Sequence, residues 1–384
     1  MSDYSACDFS KLTEYLDSLD ATLGIPACGV AVMIDHETVY SHYSGYADRQ
    51  KTRPAAADDT YWLYSSTKVS TAVAVLQLVE QGLLSLDEAL YKYLPEYEHM
   101  TVRDGDTVRE AKRHITVENL LTMTAGFTYD RDTEPWTRVK QNRNATTRDV
   151  IRAHADDPLA FDPGEQYYYS LAFDVLGALI EVVSGKDLET YFQEYIARPL
   201  GMTDTTHIPT PDQIARLSEQ YKYVSAERSS KPLAANRPTY VTDKYLNGGG
   251  GLLSTVEDYL LLADALANGG VGKSGARILT EASIDNMITN RLVTANLMED
   301  YQTSPVKRGY GYGLGVRVHM DPKASGAKSP VGEFGWNGAA GHYLLSDMKT
   351  RLAICFAMHV KNCRVASGVI QPSIRDLVYE ALEL

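Results

Sequence analysis

Apolar side chains crowd positions 69, 72–76, 78 and 79, far more densely than an amphipathic surface helix would need. This stretch predicts a largely buried helix, closed by Gly82. Upstream, residues 7–23 alternate with helical periodicity and predict an amphipathic helix. "CGVAVMID" and "TVYSHYSG" then read as two strands around a turn near Asp35–Glu37. Ser85 and Glu88 have the spacing of a capping box for another short helix. From about 80 to 245 the pattern is helical and loopy, with proline-containing breaks such as "DDPLAFDPGEQ". Ser254 and Glu257 are expected to cap the helix "TVEDYLLLADALANGG". The C-terminal part turns to strands, "YGYGLGVRVHM", "GEFGWNG", "GHYLLSD" and "LAICFAMHV", and closes on a helix, "SIRDLVYEALEL".

With no internal repeat, these elements predict an α/β (α+β) fold. An antiparallel sheet is built from both chain ends and flanked by the terminal helices, with a mostly helical domain inserted between. The expected division is 1–79 with 245–384 for the sheet domain and 80–244 for the inserted domain, with an active site at their interface.

Composition narrows the function more by exclusion than by suggestion. The 384 residues allow a large core, and 37 basic against 50 acidic residues leave a net charge of −13. That balance argues against nucleic-acid and anionic-membrane partners. No 18-residue apolar run is present, so no membrane span is expected. Nothing at the start reads as a secretion signal, and Cys7, Cys28, Cys355 and Cys363 fit buried thiols, so a cytoplasmic location is expected. The nine histidines form no HxxxH or HxH pair, so neither a metal nor another cofactor is expected. No G-x-S-x-G elbow occurs.

The chemistry that remains starts at the front of the buried helix. Ser65 and Lys68, three residues apart, would share a helix face. There the serine would lie beside free backbone N–H groups, and the helix dipole and burial are expected to lower the lysine pKa toward a neutral amine. The same S-x-x-K spacing recurs at Ser304/Lys307 and Ser325/Lys328, both in Pro- or Gly-containing loops with no helix behind them. A tyrosine triplet, 167–169, precedes a helix starting near Leu171, and a tyrosine beside Lys68 would suit a proton-transfer role; packing in a loop is the plainer reading. "YLN", 245–247, offers a competing pattern. In "GEFGWNGAAGHYLLSD" small residues around Trp336 would let the backbone approach a ligand, and the Ala339 amide becomes a candidate oxyanion donor; a glycine-kinked strand with a packed tryptophan is the alternative. "ANGGVGKS", 267–274, loosely imitates a phosphate loop but follows a helix instead of a strand. "NGGGG", 247–251, would either shape the cleft wall or serve as a flexible connection. His342 lies close to the Trp336 motif, while Trp62, Tyr129 and Trp136 would line an acyl pocket or simply pack.

Taken in order, "GVAVMID", "SGYADRQKTRP", "YSSTKVSTAVAVLQLVEQGLLSLDE", "ITVENLLTMTAGF", "DPGEQYYYSLAFDVLG", "PLGMTDT", "GGGGLLSTVEDYLLLADAL", "YGYGLGVRVH" and "FGWNGAAGHYLLSD" resemble the serine β-lactamase and penicillin-binding-protein superfamily nearly end to end. Within it the chain is similar to the class C β-lactamases and most nearly to the family VIII carboxylesterases. The resemblance implies Ser65 as nucleophile, Lys68 as its partner and Tyr169 as the catalytic tyrosine. It implies Trp336-Asn337-Gly338 as the third motif, backbone amides of Ser65 and Ala339 as the oxyanion hole, and Leu171 at a substrate-binding position, to which the residues themselves add Tyr129 as a candidate.

Two departures shape the expected substrate. The lactamases carry asparagine where this chain has Leu171, and lysine-threonine-glycine where it has Trp336-Asn337-Gly338. Losing the amide-binding asparagine and the carboxylate-binding lysine turns the expectation from lactams to carboxylic esters, with short acyl chains. The expected partner is a small-molecule ester or lactam. A β-lactamase, a transacylase and a penicillin-recognising binding domain are the rival readings. Whether Lys68 or Tyr169 is the formal base, the natural substrate and the oligomeric state are left open by the residues.

Overall fold

The computed structural model describes residue 4, residues 7–234 and residues 244–384. Its organising element is a seven-stranded antiparallel sheet made from β1 (Ala27–Ile34), β2 (Glu37–Gly45), β3 (Tyr310–Tyr312), β4 (Arg317–His319), β5 (Phe334–Asn337), β6 (Tyr343–Asp347) and β7 (Leu352–Met358). The spatial order is β2-β1-β7-β6-β5-β4-β3, so N-terminal and C-terminal strands meet at the β1–β7 pair. Fold class and sheet construction agree with the expectation.

Both faces of this sheet are covered, and the period-two alternation of each strand divides its side chains between two cores. Val30, Val32, Ile34, Ile354 and Phe356 point to one face, where α1 (Ser10–Leu23) supplies Leu12, Leu16 and Leu19 and α5 (Gln371–Ala381) supplies Ile374 and Val378. Ala31, Met33, Ala353, Cys355 and Ala357 point to the other. There the sheet meets α4 (Val256–Ala267), and the core runs on through α2 (Thr67–Glu80) and α3 (Ala172–Ser184). The β1–β2 turn places Asp35 and His36 at φ +51° and +68°, the left-handed pair that suits a tight hairpin.

Local readings shift where tertiary partners compete for a side chain. The first helix begins at Ser10, not residue 7. Ser85 and Glu88 form no capping box: the Glu88 carboxylate is taken by Lys92 at 2.7 Å and by the Tyr93 hydroxyl, in a turn leading to a short 3-10 helix at Leu90–Lys92. The cap of α4 is Thr255, which accepts from the Asp258 N–H at 3.1 Å, while the Ser254 hydroxyl is drawn to Thr205 at 2.7 Å. "YGYGLGVRVHM" is two strands, because the chain reverses over 313–316 with Gly315 at φ +86°. The stretch read as helical and loopy also carries small hairpins at Thr101–Asp104 with Thr107–Glu110 and at Tyr221–Val224 with Ser229–Pro232. Among the described residues no helix is long and apolar enough to cross a membrane.

Candidate active site

Ser65 is delivered by a short strand and a strained residue. Tyr61–Trp62 pairs with Leu253–Ser254, and the Leu63 N–H continues the contact to the Leu252 carbonyl at 2.9 Å. Tyr64 then takes φ +48°, a left-handed conformation costing a non-glycine residue on the order of 1 kcal/mol. Its side chain is secured by a hydrogen bond to Gln220 and by Lys361 5.2 Å from the ring centroid. The turn brings Ser65 into a 3-10 segment, Tyr64–Ser66, that runs directly into α2. The next residue is pinned at both ends: the Ser66 carbonyl accepts from the Tyr259 hydroxyl at 2.7 Å, and its Oγ lies 2.8 Å from His342 Nδ1.

Lys68, the second residue of α2, is fully buried. Its Nζ donates to Ser65 Oγ at 3.2 Å and to the Gly249 carbonyl at 2.5 Å, and sits 4.9 Å from the Tyr169 ring centroid. Burial pulls the Lys68 pKa down, but the oxygens of Tyr129 and Tyr169 and the Asp174 carboxylate more than offset it, so the net shift is upward. The lowering expected from burial and the helix dipole is therefore corrected: the net direction of the Lys68 shift is upward. The glycine run at 247–251 is what lets its carbonyl partner approach. A Cβ on Gly249 would lie 2.5 Å from Asp174 Oδ2, and Gly248, next to it, accepts from the Thr71 hydroxyl at 2.7 Å. Sequence reasoning left this stretch undecided; the structure makes it the back support of the Ser65 helix.

Of the four candidate tyrosines, only Tyr169 shares the cleft with Ser65. Its hydroxyl accepts from Trp336 Nε1 at 3.2 Å, and its ring stacks between Trp336 (5.7 Å) and Tyr129 (5.6 Å). Tyr167 is buried against Tyr301 and Tyr312, Tyr168 points outward at 51% exposure, and Tyr245 is buried with its hydroxyl on Asp174. Tyr129 backs the catalytic-candidate ring instead of lining the cavity.

Leu171 does not reach the cleft. It is 0% exposed, packed with Trp136, Val139, Val150 and Tyr245, so its expected substrate contact is corrected to a core role at the front of α3. Trp136 lies in that same cluster, and Trp62 packs against Leu217 and Leu253; neither lines the cavity.

Trp336, Asn337 and Gly338 come off the end of β5 beside Ser65. The Asn337 side chain is committed to the wall, accepting from Arg317 at 2.9 Å and donating to Gln371. Gly338 is required by close approach, since a Cβ there would lie 2.3 Å from the Leu63 carbonyl, two residues before the nucleophile candidate. Its N–H is used by the His342 carbonyl at 2.7 Å. Ala339 follows outside the ladder, lining the cavity with Ser65. Ser65 itself stands in the first turn of its helix, where N–H groups lack intrahelical acceptors.

His342 is buried behind the site, between Ser66 Oγ and Cys355 Sγ at 3.4 Å, and does not line the cavity. Burial pushes its pKa down to about 3, and pushes those of His154 and His359 down to about 4. Folded values below the ordinary 6.5 mean that the unfolded chain binds more protons. Their contribution is complete above about pH 6.5 and is lost as the pH falls toward 3–4, at about 1.4 kcal/mol per histidine per pH unit. Asp258 and Asp264, whose carboxyl pKa values burial raises, offset part of this. Thermal melts at pH 7, 6 and 5 should show a falling midpoint; a flat or rising one would contradict the assignment.

The cavity has a volume of about 630 Å³. Its far wall, which the sequence did not disclose, includes Tyr301, Lys307, Tyr310, Arg364 and Arg375. Of the other S-x-x-K pairs, Ser325 and Lys328 are tied to His319 and Glu380, outside this wall. The phosphate-loop look-alike is a turn after α4, with Ser274 bonded to the Pro199 carbonyl and Lys273 3.8 Å from Glu37. Among the described residues no cluster of metal-ligating side chains occurs.

Comparison with known proteins sets this geometry in context. A family model described as Beta-lactamase matches residues 12–362. The chain is 31% identical to Protein Rv1367c of Mycobacterium tuberculosis over 81% of its own length and 80% of that protein's. It is 28% identical to Esterase EstB of Burkholderia gladioli, over 91% and 90%. The solved structure of EstCE1, described as a hydrolase with promiscuous acyltransferase activity, superposes with a TM-score of 0.81 at 25% identity, covering 97% and 98% of the two chains.

Proposed function

This chain belongs to the beta-lactamase family, and from that premise we propose that it is a serine hydrolase cleaving carboxylic esters, with short acyl chains, through an acyl-enzyme on Ser65. The observation that carries the reading is the contact between Trp336 Nε1 and the Tyr169 hydroxyl. Where the lactamases place a carboxylate-binding lysine, this chain places an indole that donates to the tyrosine hydroxyl and leaves no cation at that position beside the scissile bond. Similarity to Esterase EstB and to EstCE1 supports the same substrate class.

In this reading residues 1–79 and 245–384 form the sheet domain, 80–244 the inserted domain, and the reaction takes place at their seam. Ser65 Oγ attacks the ester carbonyl while the amides of Ser65 and Ala339 receive the oxyanion. In this proposal Lys68 acts as an ammonium, in keeping with the upward direction of its shift, donating to Ser65 Oγ and stabilising negative charge at the Tyr169 oxygen. Tyr169 takes the serine proton and returns it to the leaving alcohol, then draws a proton from the water that cleaves the acyl-enzyme and delivers it to Ser65 Oγ as the acyl bond breaks. Gly338 and Asn337 hold the wall beside the carbonyl. An alcohol entering in place of water would give acyl transfer, a second reading favoured by the description of EstCE1.

The test compares p-nitrophenyl butyrate with nitrocefin. The expected kcat/KM is at least ~10²-fold higher for the ester, the scale by which one mispaired polar group changes a reaction. Comparable values would overturn the ester reading in favour of a β-lactamase. Adding a short alcohol and analysing the products separates hydrolysis from transfer.

A further inference from the structure

The far wall of the cavity carries four cations, Lys307, Arg317, Arg364 and Arg375, and among the described residues no aspartate or glutamate lines it. In a chain with a net charge of −13 such a concentration is not a matter of composition. Two of the four are already neutralised: Arg317 by Glu333 at 2.9 Å and Arg375 by Asp376 at 2.8 Å. Lys307 and Arg364 have no carboxylate partner among the described residues.

Lys307 is the more telling of these two. It ends the short 3-10 turn Pro305–Lys307, and its Nζ lies over two aromatic faces, 4.7 Å from the Tyr301 centroid and 5.5 Å from that of Tyr167. The rings orient the ammonium without cancelling its charge. Its pKa is lowered by burial alone, with no neighbouring charge acting on it. A half-buried cation left unpaired is costly unless something in its working state supplies the counter-charge. Lys307 shares the cavity with Ser65, so that counter-charge can belong to the molecule being cleaved.

We propose that Lys307, aided by Arg364, binds a carboxylate on the substrate remote from the scissile bond, so that the preferred esters are half-esters of dicarboxylic acids. The identification of these compounds as substrates rests on the ester reading above; the anion site does not. A single ammonium framed by two tyrosine rings suits one monoanionic group.

Binding is measured first, free of turnover, by calorimetry on the Ser65→Ala protein with monoethyl adipate and with diethyl adipate. The monoanion should bind at least ~10-fold more tightly, the scale of a hydrogen bond to a charged group. Adding Lys307→Met should bring the two affinities together, and Lys307→Arg should keep them apart. Equal affinities in the Ser65→Ala protein, or a preference that survives Lys307→Met, would overturn the proposal. In the Ser65-containing enzyme, kcat/KM for mono-p-nitrophenyl adipate relative to p-nitrophenyl hexanoate should fall ~10-fold on Lys307→Met. If neither ester is cleaved while the calorimetric preference holds, the ester reading fails and the anion site stands. A Lys307 that only packs against its two tyrosines would change both esters alike, and that result would also overturn it.

Discussion

Replacing Ser65 by alanine is expected to reduce p-nitrophenyl butyrate hydrolysis by ~10⁴-fold or more, the scale set by removal of a serine nucleophile elsewhere. The substitution deletes one hydroxyl whose partner is Lys68 Nζ at 3.2 Å. It leaves the Gly249 carbonyl to hold the ammonium at 2.5 Å, so Lys68 keeps a hydrogen bond and the buried helix keeps its place. The turn that presents residue 65 depends on Tyr64 and Ser66, anchored through Gln220, Tyr259 and His342, and not on the serine side chain. The variant should therefore melt within a few degrees of the parent and bind substrate while failing to turn it over. A melting point unchanged with activity retained would remove Ser65 from the mechanism. A collapse of the fold would show that the strained turn needs the hydroxyl.

The second large effect is expected at Tyr169, where phenylalanine should lower kcat by at least ~10²-fold, a typical contribution of a positioned acid–base group. The ring would stay stacked between Trp336 and Tyr129, so KM should change little. Only the oxygen that receives the Trp336 N–H and faces the Lys68 charge is lost. The burial of Tyr167 and Tyr245 and the outward path of Tyr168 keep these three tyrosines from substituting for it. Near-normal kcat in Tyr169→Phe would contradict the proton route and return the base role to Lys68.

Local pattern was enough to read β1, β6 and β7, because each is buried along its whole length. It was also enough to pick Ser65 and Lys68 over their two imitations, since only that copy opens a buried helix. Order along the chain, through the resemblance, separated Tyr169 from its three rivals. What escaped depends on groups far apart in sequence. The upward shift of Lys68 comes from Tyr129, Tyr169 and Asp174, none within its own helix. Leu171 was aligned by motif position, but the start of α3 turns it into a cluster with Trp136 and Tyr245. Thr255 outcompeted Ser254 as a cap because Thr205 claims the serine hydroxyl. Lys307 was dismissed with its loop, although that loop closes the far side of the cavity. Position within an element was legible; which distant side chain would meet it was not.

The proposed reaction passes through a covalent acyl intermediate on Ser65. Intact-protein mass spectrometry after brief exposure to a fluorophosphonate, run on the parent and on Ser65→Ala beside the butyrate assay, tests it most directly. One adduct is expected on the parent and none on the variant, with hydrolysis lost together with the adduct. An adduct that persists in Ser65→Ala, or a folded parent that takes up no reagent and cleaves no ester, would contradict it.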